Sequence, residues 1–518
     1  MTCRPAYTED FSCDDVGVVT LRRLAQAFNA GSTSFLSFGS VAAVGSAADH
    51  QRKGLTAMAV PIDTAELSGA LTGPTFVPGQ VGYDEECSTY NLLTPLRPVV
   101  AVGAATVADV EKAVRFAAAN GLAVAIRGGG HIVAAPSDNS LLITMRRMSG
   151  VSLDVEAASV RVQGAALWQD VLDAVTPHGL APMSGSSSTV GVIGYLLGGG
   201  QSPTLGRHLG WAAEHVTAIE IVTADGRARR ITADSDPDLF FAVRGTKGNF
   251  GVVTAVEMRV FPITRVFGGG LWFSGDDLRP VLNGWRRWAA TVPEEMTSSI
   301  AIQRLPPDPA LPEPLRGVFV LHTRIAFLGS AAEGNRLIEP LRRLAPLIME
   351  SVADLPYAQA ATIHMDPPSP IPYVDRSIGL RELNAETVEA FYEVAGPGSG
   401  STLASVEIRA LGGALSREPL TADAIPARAV PFQVFAFGVG PLEQAPANRV
   451  ALAELIDRLR PWGHERRMVA FLSPDEATDQ SAIRLLYGED LYARLAQLKK
   501  VYDPANMFRI NHNIAPAT

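Results

Sequence analysis

The chain has 518 residues, 47% hydrophobic and 19% charged, a balance that excludes wholesale disorder. Its 53 acidic against 44 basic residues give a formal charge of −9, the wrong sign for the basic face of a duplex-DNA binder. No uninterrupted apolar run reaches the ~18 residues of a membrane span, so neither nucleic acid nor membrane is an expected partner. Cys3, Cys13 and Cys87 are the only cysteines. That count excludes a disulfide scaffold and a cysteine-rich metal site and fits a reducing compartment.

Residues 1–75 are rich in Ala, Gly, Ser and Thr and have poor periodicity. Arg22-Arg23 precede a mildly apolar stretch ending Gly45-Ser46-Ala47-Ala48. Glu9, Asp10, Asp14 and Asp15 lie where a secretory signal is positive, and Asn29 and Gly31 break the apolar core. We expect a loose tail, with Met58 an alternative start, and a cytoplasmic protein.

From residue 95 an α/β pattern emerges. Pro98–Val102 reads as a strand, and Thr106 with Asp109 as a capping box opening a helix. Val107, Val110, Val114 and Ala117 recur at helical spacing, and Gly121 stands where a C′ glycine belongs. Leu122–Ile126, Leu141–Thr144 and Ser159–Gln163 read as strands, and Leu167–Val175 as a helix. Asp225-Gly226 marks a hairpin between Val216–Thr223 and Arg227–Ile231. A helix over Pro237–Val243 and a strand over Gly251–Phe261 follow.

After Pro262 the texture changes to long helices, Asp276–Ala290 and Ser330–Leu344. Strands accompany them at Leu271–Phe273, Gly317–His322, Ser405–Leu411 and Phe432–Val439. This predicts a second unit, an antiparallel sheet with helical cover. Segments 306–314 and 367–372 are Pro-rich loops. Helices near Ala447–Leu459 and Glu489–Lys500 lead to a polar end.

Four stretches carry the chemistry. Arg127-Gly128-Gly129-Gly130-His131 leaves a strand, and consecutive glycines let backbone N–H groups approach an anion. Ser184–Gly200 repeats glycines beside hydroxyls and is too apolar for a linker. Arg244–Val253 is a glycine-rich turn into a strand, and Tyr502–Asn513 ends with Asn511 and Asn513 on one face if extended. Read singly, each is a plain turn or a solvated tail. Together, three glycine-rich loops suggest a large, extended, phosphate-containing cofactor. No zinc set, G-x-S-x-G elbow or G-x-G-x-x-G fingerprint accompanies them.

In this order the four stretches resemble the FAD-linked oxidases of the berberine bridge enzyme type, over roughly residues 80–518. The resemblance implies an α+β fold of two domains. One is a PCMH-type (vanillyl-alcohol-oxidase-like) FAD domain of two α/β pieces over 76–265. The other is a substrate domain, an antiparallel sheet under helices over 266–475, and residues 476–518 return to the FAD domain. It implies that Arg127, Gly128, Gly129, Gly130, His131, Ser187, Thr189, Val190, Gly191, Gly194, Tyr195, Gly198, Gly199, Asn249, Gly251, Val253, Asn511 and Asn513 hold FAD. By position, His131 is the histidine that bonds to the flavin 8α carbon. Ser187 stands where many relatives have a second, cysteinyl link, and a hydroxyl is too poor a nucleophile to replace it.

Tyr195 falls where relatives place a donor near the flavin N1/C2=O edge, and Val190 where a small side chain admits oxygen. Glu407 and Arg409, two apart, share a face of the strand that faces the flavin. Glu407 is read as the base and Arg409 as its orienting partner or an anion holder, against a surface salt bridge. Phe471 occupies the place of an expected phenol, which leaves Tyr373 as the other catalytic candidate. The implied activity is an FAD-dependent oxidase of a small secondary-metabolite alcohol or amine, passing electrons to O2. Rivals are a carbohydrate oxidase, a dehydrogenase with another acceptor, a flavin-binding module without turnover and a nicotinamide reductase.

Overall fold

Three sheets organise the computed structural model, which describes residues 63–131, 137–476 and 479–518. The first has strand order Thr75–Phe76, Val100–Gly103, Ser140–Thr144, Ala123–Arg127, the last three parallel. Parallel strands need cover on both faces. Val100, Val102, Val124, Leu141 and Ile143 pack under the helix Val107–Ala119, through its Val110, Ala113, Val114 and Ala117. Ala101, Ala125 and Leu142 face the other way, onto Tyr83 and Leu96. The capping box forms as expected, and Gly121 adopts φ +65° past the helix end.

Asp109 also accepts the N–H groups of Thr72 and Gly73. That bond corrects the expected tail boundary at residue 75. Ala65–Ala70 is a helix with Leu67 buried, and Thr75–Phe76 joins the sheet. Alternating hydrophobicity is too short there to be read from sequence. The secretory-like stretch around Arg22-Arg23 and the alternative start at Met58 lie outside the described residues.

The second sheet is antiparallel, in the order Val151–Asp154, Ser159–Gln163, Val252–Arg259, Val216–Val222, Ala228–Ile231. Val160, Val162 and Val256 share a core with Trp168 and Val171 of the helix Trp168–Val175. Gly226, at φ +69°, makes the foreseen hairpin.

The third sheet has nine strands, all antiparallel, starting at Arg265 just past the texture change at Pro262. Its central order is Arg265–Ser274, Phe319–Phe327, Met296–Arg304, Ser405–Ala410, Phe432–Val439, Tyr373–Leu380. Four helices, Leu278–Ala289, Ala331–Arg342, Ala385–Ala395 and Ala445–Leu459, bury their apolar sides on one face. Met296–Arg304 and Tyr373–Leu380 were not foreseen as strands. Their alternate residues include Ser299, Gln303, Asp375 and Ser377, which look away from the helices and hide the apolar half of the pattern.

The C-terminal segment is no solvated tail. The helices Gln480–Tyr487 and Glu489–Tyr502 put Ile483, Leu486, Tyr487, Tyr492 and Leu495 into the core of the second sheet. Met507 then accepts the N–H of Val124 at the first sheet. Lys499 and Asp503, both fully buried, form a 2.8 Å ion pair. The same ammonium donates to the carbonyls of Asn249 and Phe508. Asp503 in turn accepts from the N–H groups of Met507 and Phe508. Removing one partner of a buried pair leaves an uncompensated charge. Lys499→Met is therefore expected to destabilise the protein by about 3–5 kcal/mol, read as a lowered thermal midpoint. An unchanged midpoint would show that the clamp is dispensable.

Candidate functional site

Two glycine loops cross at the floor of the site. The first leaves the parallel strand Ala123–Arg127 at its C-terminal end, and Arg127 folds back to donate to the carbonyl of Ser88 at 2.7 Å. The second precedes the short helix Val192–Leu197. A Cβ on Gly129 would lie 2.6 Å from the Cα of Gly191, and one on Gly128 2.7 Å from the Gly164 carbonyl oxygen. Only glycine permits that approach. At Gly194 an added Cβ would meet nothing within 4 Å, because that residue faces open space.

The space is a cavity of about 1010 Å³, bounded by both loops, the glycine turn after Arg244, the C-terminal segment and the third sheet. Small-molecule sites usually measure about 300–1,000 Å³, so an extended dinucleotide fits with room beside it. Among the described residues, six buried polar atoms of its lining have no hydrogen-bond partner: Nδ1 of His131, the Tyr195 hydroxyl, Oδ1 of Asn511, Nε of Arg324, Nη1 of Arg304 and Nε2 of His364. Unpaired groups of this kind are rare inside proteins and here mark where a polar ligand completes them. The residues present thus fit FAD.

His131 stacks on Tyr90, with ring centroids 4.2 Å apart and planes at 30°. The Tyr90 hydroxyl is tied to the carbonyl of Pro367 at 2.6 Å, and its N–H to that of Gly130 at 2.8 Å. Burial pushes the imidazole down to about 4, so it is neutral at physiological pH and keeps a lone pair. Tyr195 sits edge-on against Trp168, and burial holds its phenol protonated, a donor without a partner.

Of the other foreseen cofactor residues, Arg127, Gly128, Gly130, Ser187, Val190, Gly251, Val253 and Asn511 line the cavity. Thr189, Gly198, Gly199, Asn249 and Asn513 do not. Thr189 hydrogen-bonds the Ser187 hydroxyl at 2.9 Å. Gly198 packs by Ala470, and Gly199, at φ +102°, lies against Trp211. Asn249 is a clamp: it donates to the His512 carbonyl and accepts the N–H of Ile514. Asn513 keeps a buried oxygen without a partner but is off the lining.

The cavity face of the third sheet follows from register. Arg324 pairs across to Ser299, Ser299 to Arg409, and Glu407 to Phe435, so alternate residues of four strands look one way. Glu407 is buried, which corrects the surface salt-bridge alternative. Its oxygens accept from Ser299 at 2.8 Å, Arg324 at 2.8 Å and Arg409 at 3.0 Å. The two guanidiniums hold its carboxyl well below the usual range although burial opposes them. Such a carboxylate is a poor proton acceptor, so the base role foreseen for Glu407 does not fit. It positions Arg324 and Arg409 instead, and Arg409 extends to Gln201 at 2.9 Å. Tyr373 does line the cavity, but burial pushes its phenol upward, against a role as base.

An aromatic wall adjoins the cluster. Phe435 stacks on Phe471 at 4.6 Å and approaches Phe437 at 5.9 Å, and Tyr373 meets Phe437 at 6.2 Å. Both Pro-rich loops reach the lining, through Pro306 and Pro367. Tyr90, Arg324, His364 and Lys247 were not singled out from the sequence. Period-two alternation along Phe319–Phe327 would have put Arg324 on the polar face; Tyr90 and His364 carry no local signal.

The architecture is that of a two-domain flavoprotein with a PCMH-type FAD-binding fold. Residues 98–232 match the FAD binding domain family, and residues 471–515 the berberine and berberine like family. The chain is 27% identical over 467 residues to (R)-6-hydroxynicotine oxidase of Paenarthrobacter nicotinovorans, covering 86% of this chain and 97% of that one. The solved 6-hydroxy-D-nicotine oxidase of Arthrobacter nicotinovorans superposes with a TM-score of 0.74 at 24% identity, covering 86% and 98%. Xylooligosaccharide oxidase of Myceliophthora thermophila does so at 0.76 and 21%, covering 87% and 98%. The chain thus carries an FAD binding domain and a berberine and berberine like domain, and the relatives it resembles along most of its length are FAD-linked oxidoreductases.

Gly129→Ala is expected to force the two loops apart and to lower the flavin-to-protein absorbance ratio severalfold; an unchanged ratio would contradict the cradle. Asp375 supplies a pH test. Burial raises its carboxyl to about 6 against a hydrogen bond from Ser473. The folded state then holds a proton that the unfolded chain releases near the ordinary aspartate value, so stability falls as pH rises from about 4 to about 6. Asp375→Asn is expected to remove that part of the slope, read as a thermal-midpoint difference from wild type that grows between these pH values.

Proposed function

We propose that the protein is an FAD-dependent oxidase of a small organic substrate, with O2 as the electron acceptor and H2O2 as the product. The observation that carries this reading is a single cavity that joins the neutral His131, the two glycine loops and the cationic, aromatic face of the third sheet. Bound there, FAD would supply a two-electron acceptor for the substrate's hydride, with O2 as the final acceptor.

The chain's own contribution is to bind, orient and exclude water. His131 would hold the flavin at its 8α position, its lone pair free because the ring is neutral. Ser187, engaged with Thr189, forms no second link. Tyr195 presents a hydroxyl proton to the ligand edge. Arg324 and Arg409 hold the substrate beside the aromatic wall. The phenylalanine wall favours a substrate with an apolar body, an alcohol or amine, over a carbohydrate. With Glu407 pinned and Tyr373 held protonated, an amine is favoured over an alcohol, since its own lone pair drives hydride loss without prior removal of a proton. The pinned base disfavours no redox role for the flavin itself, so turnover is expected rather than mere flavin binding.

Anaerobic mixing of the purified protein with panels of amines and alcohols tests the proposal. Bleaching of the flavin by a panel member, and recovery with peroxide on admitting air, is the expected result. A flavin that only reduced nicotinamide bleaches, or one that recovers without peroxide, would contradict it. In acid-precipitated wild-type protein the colour is expected in the pellet, and in His131→Ala in the supernatant; colour released from both would remove the covalent bond.

A further inference from the structure

Two cations and one anion meet in the cavity face of the third sheet. Arg324 and Arg409 both pair with Glu407, and among the described residues neither has another carboxylate within 4.0 Å. His322 and His364 beside them are held neutral by burial and by Arg324. One positive charge is therefore left over in a buried place, an arrangement that is unfavourable unless a ligand brings the opposite charge.

The bonds show which edge is free. Arg409 spends Nε and Nη2 on Glu407 and Nη1 on Gln201. Arg324 spends Nη1 on Glu407. Its side chain is 5% exposed, its Nε has no partner, and Nη2 reaches only the His364 carbonyl, at 3.5 Å. Nε and Nη2 form one edge of the guanidinium, the fork that grips a carboxylate through two parallel hydrogen bonds. A side pocket of about 10 Å³, enough for one oxygen atom, is lined by Arg324, Arg409, His364 and Gln201, and all four also line the main cavity. Phe435, Phe437 and Phe471 lie on the same lining, with the Arg409 guanidinium 4.9 Å from the Phe471 ring centre.

We infer that Arg324 is a substrate-carboxylate anchor and that the substrate is a small organic acid, its anionic group on the Arg324 edge and its apolar body against the phenylalanines. This rests on the oxidase reading and narrows it: the amine or alcohol that is oxidised also carries a carboxylate. It also separates the site from that of a neutral sugar. The competing use of the surplus charge is to stabilise reduced flavin, and the experiment divides the two.

The flavin-loaded protein is titrated with benzoate and with benzyl alcohol, following the visible flavin spectrum and, in parallel, the heat of binding. Benzoate is expected to bind at least about ten-fold tighter than the alcohol, the worth of a charge-assisted hydrogen bond. Arg324→Met is expected to abolish that preference by weakening benzoate at least about ten-fold more than it weakens the alcohol. Arg324→Lys, which keeps the charge without the fork, is expected to retain part of it and carries the test if the methionine variant does not load flavin. Equal binding of the two probes by wild type, or a preference that survives both substitutions, would overturn the inference. So would a fall in flavin reduction potential in Arg324→Met with benzoate binding intact, which assigns the charge to the cofactor. Because the calorimetric signal does not need turnover, an enzyme that no panel substrate reduces would fail the oxidase reading while still reporting on the carboxylate site.

Discussion

The contact between Gly129 and Gly191 decides the rest of the structure. A Cβ on either would fall within 3 Å of the other's backbone. Because neither carries one, the loop after a parallel strand of the first sheet can cross the loop that leads into Val192–Leu197, and the two make one continuous floor. The cavity above that floor depends on this crossing. So does the position of His131, two residues further on, with its ring held between Tyr90 and the ligand space.

The roof answers the floor with a different physics. The floor is mostly backbone and apolar surface, suited to a flat ligand and its phosphates. The roof concentrates charge on alternate residues of antiparallel strands, where register, not chain proximity, brings Arg324, Ser299, Arg409 and Glu407 together. Glu407 satisfies two guanidiniums at once and is thereby unable to act as a base. The clamp through Lys499, Asp503 and Asn249 holds the C-terminal segment against the same cavity, so that Asn511 reaches it from the far end of the chain. A buried ion pair of this kind contributes less to stability than to fixing one arrangement.

Much of this was legible in the sequence. Period-two and period-3.6 patterns marked most strands and helices, because those elements bury one side and expose or pair the other. The glycine loops were legible because only glycine tolerates the approach they make. The strands Met296–Arg304 and Tyr373–Leu380 were missed because their inner residues are polar, serving the cavity and not the core. Asn249 and Gly199 lie off the cavity lining for a related reason: a motif names residues that travel together, and some of them hold the loops rather than face the cavity. Glu407 was found, but its protonation was not readable, since Arg324, 83 positions away, is what pins it.

The central claim is that the space between the glycine floor and the third sheet holds FAD. The absorption spectrum of the protein as purified tests it most directly. A flavin spectrum corresponding to one FAD per chain is the predicted result. A colourless protein that stays colourless after unfolding, refolding with FAD and removal of the excess would contradict it.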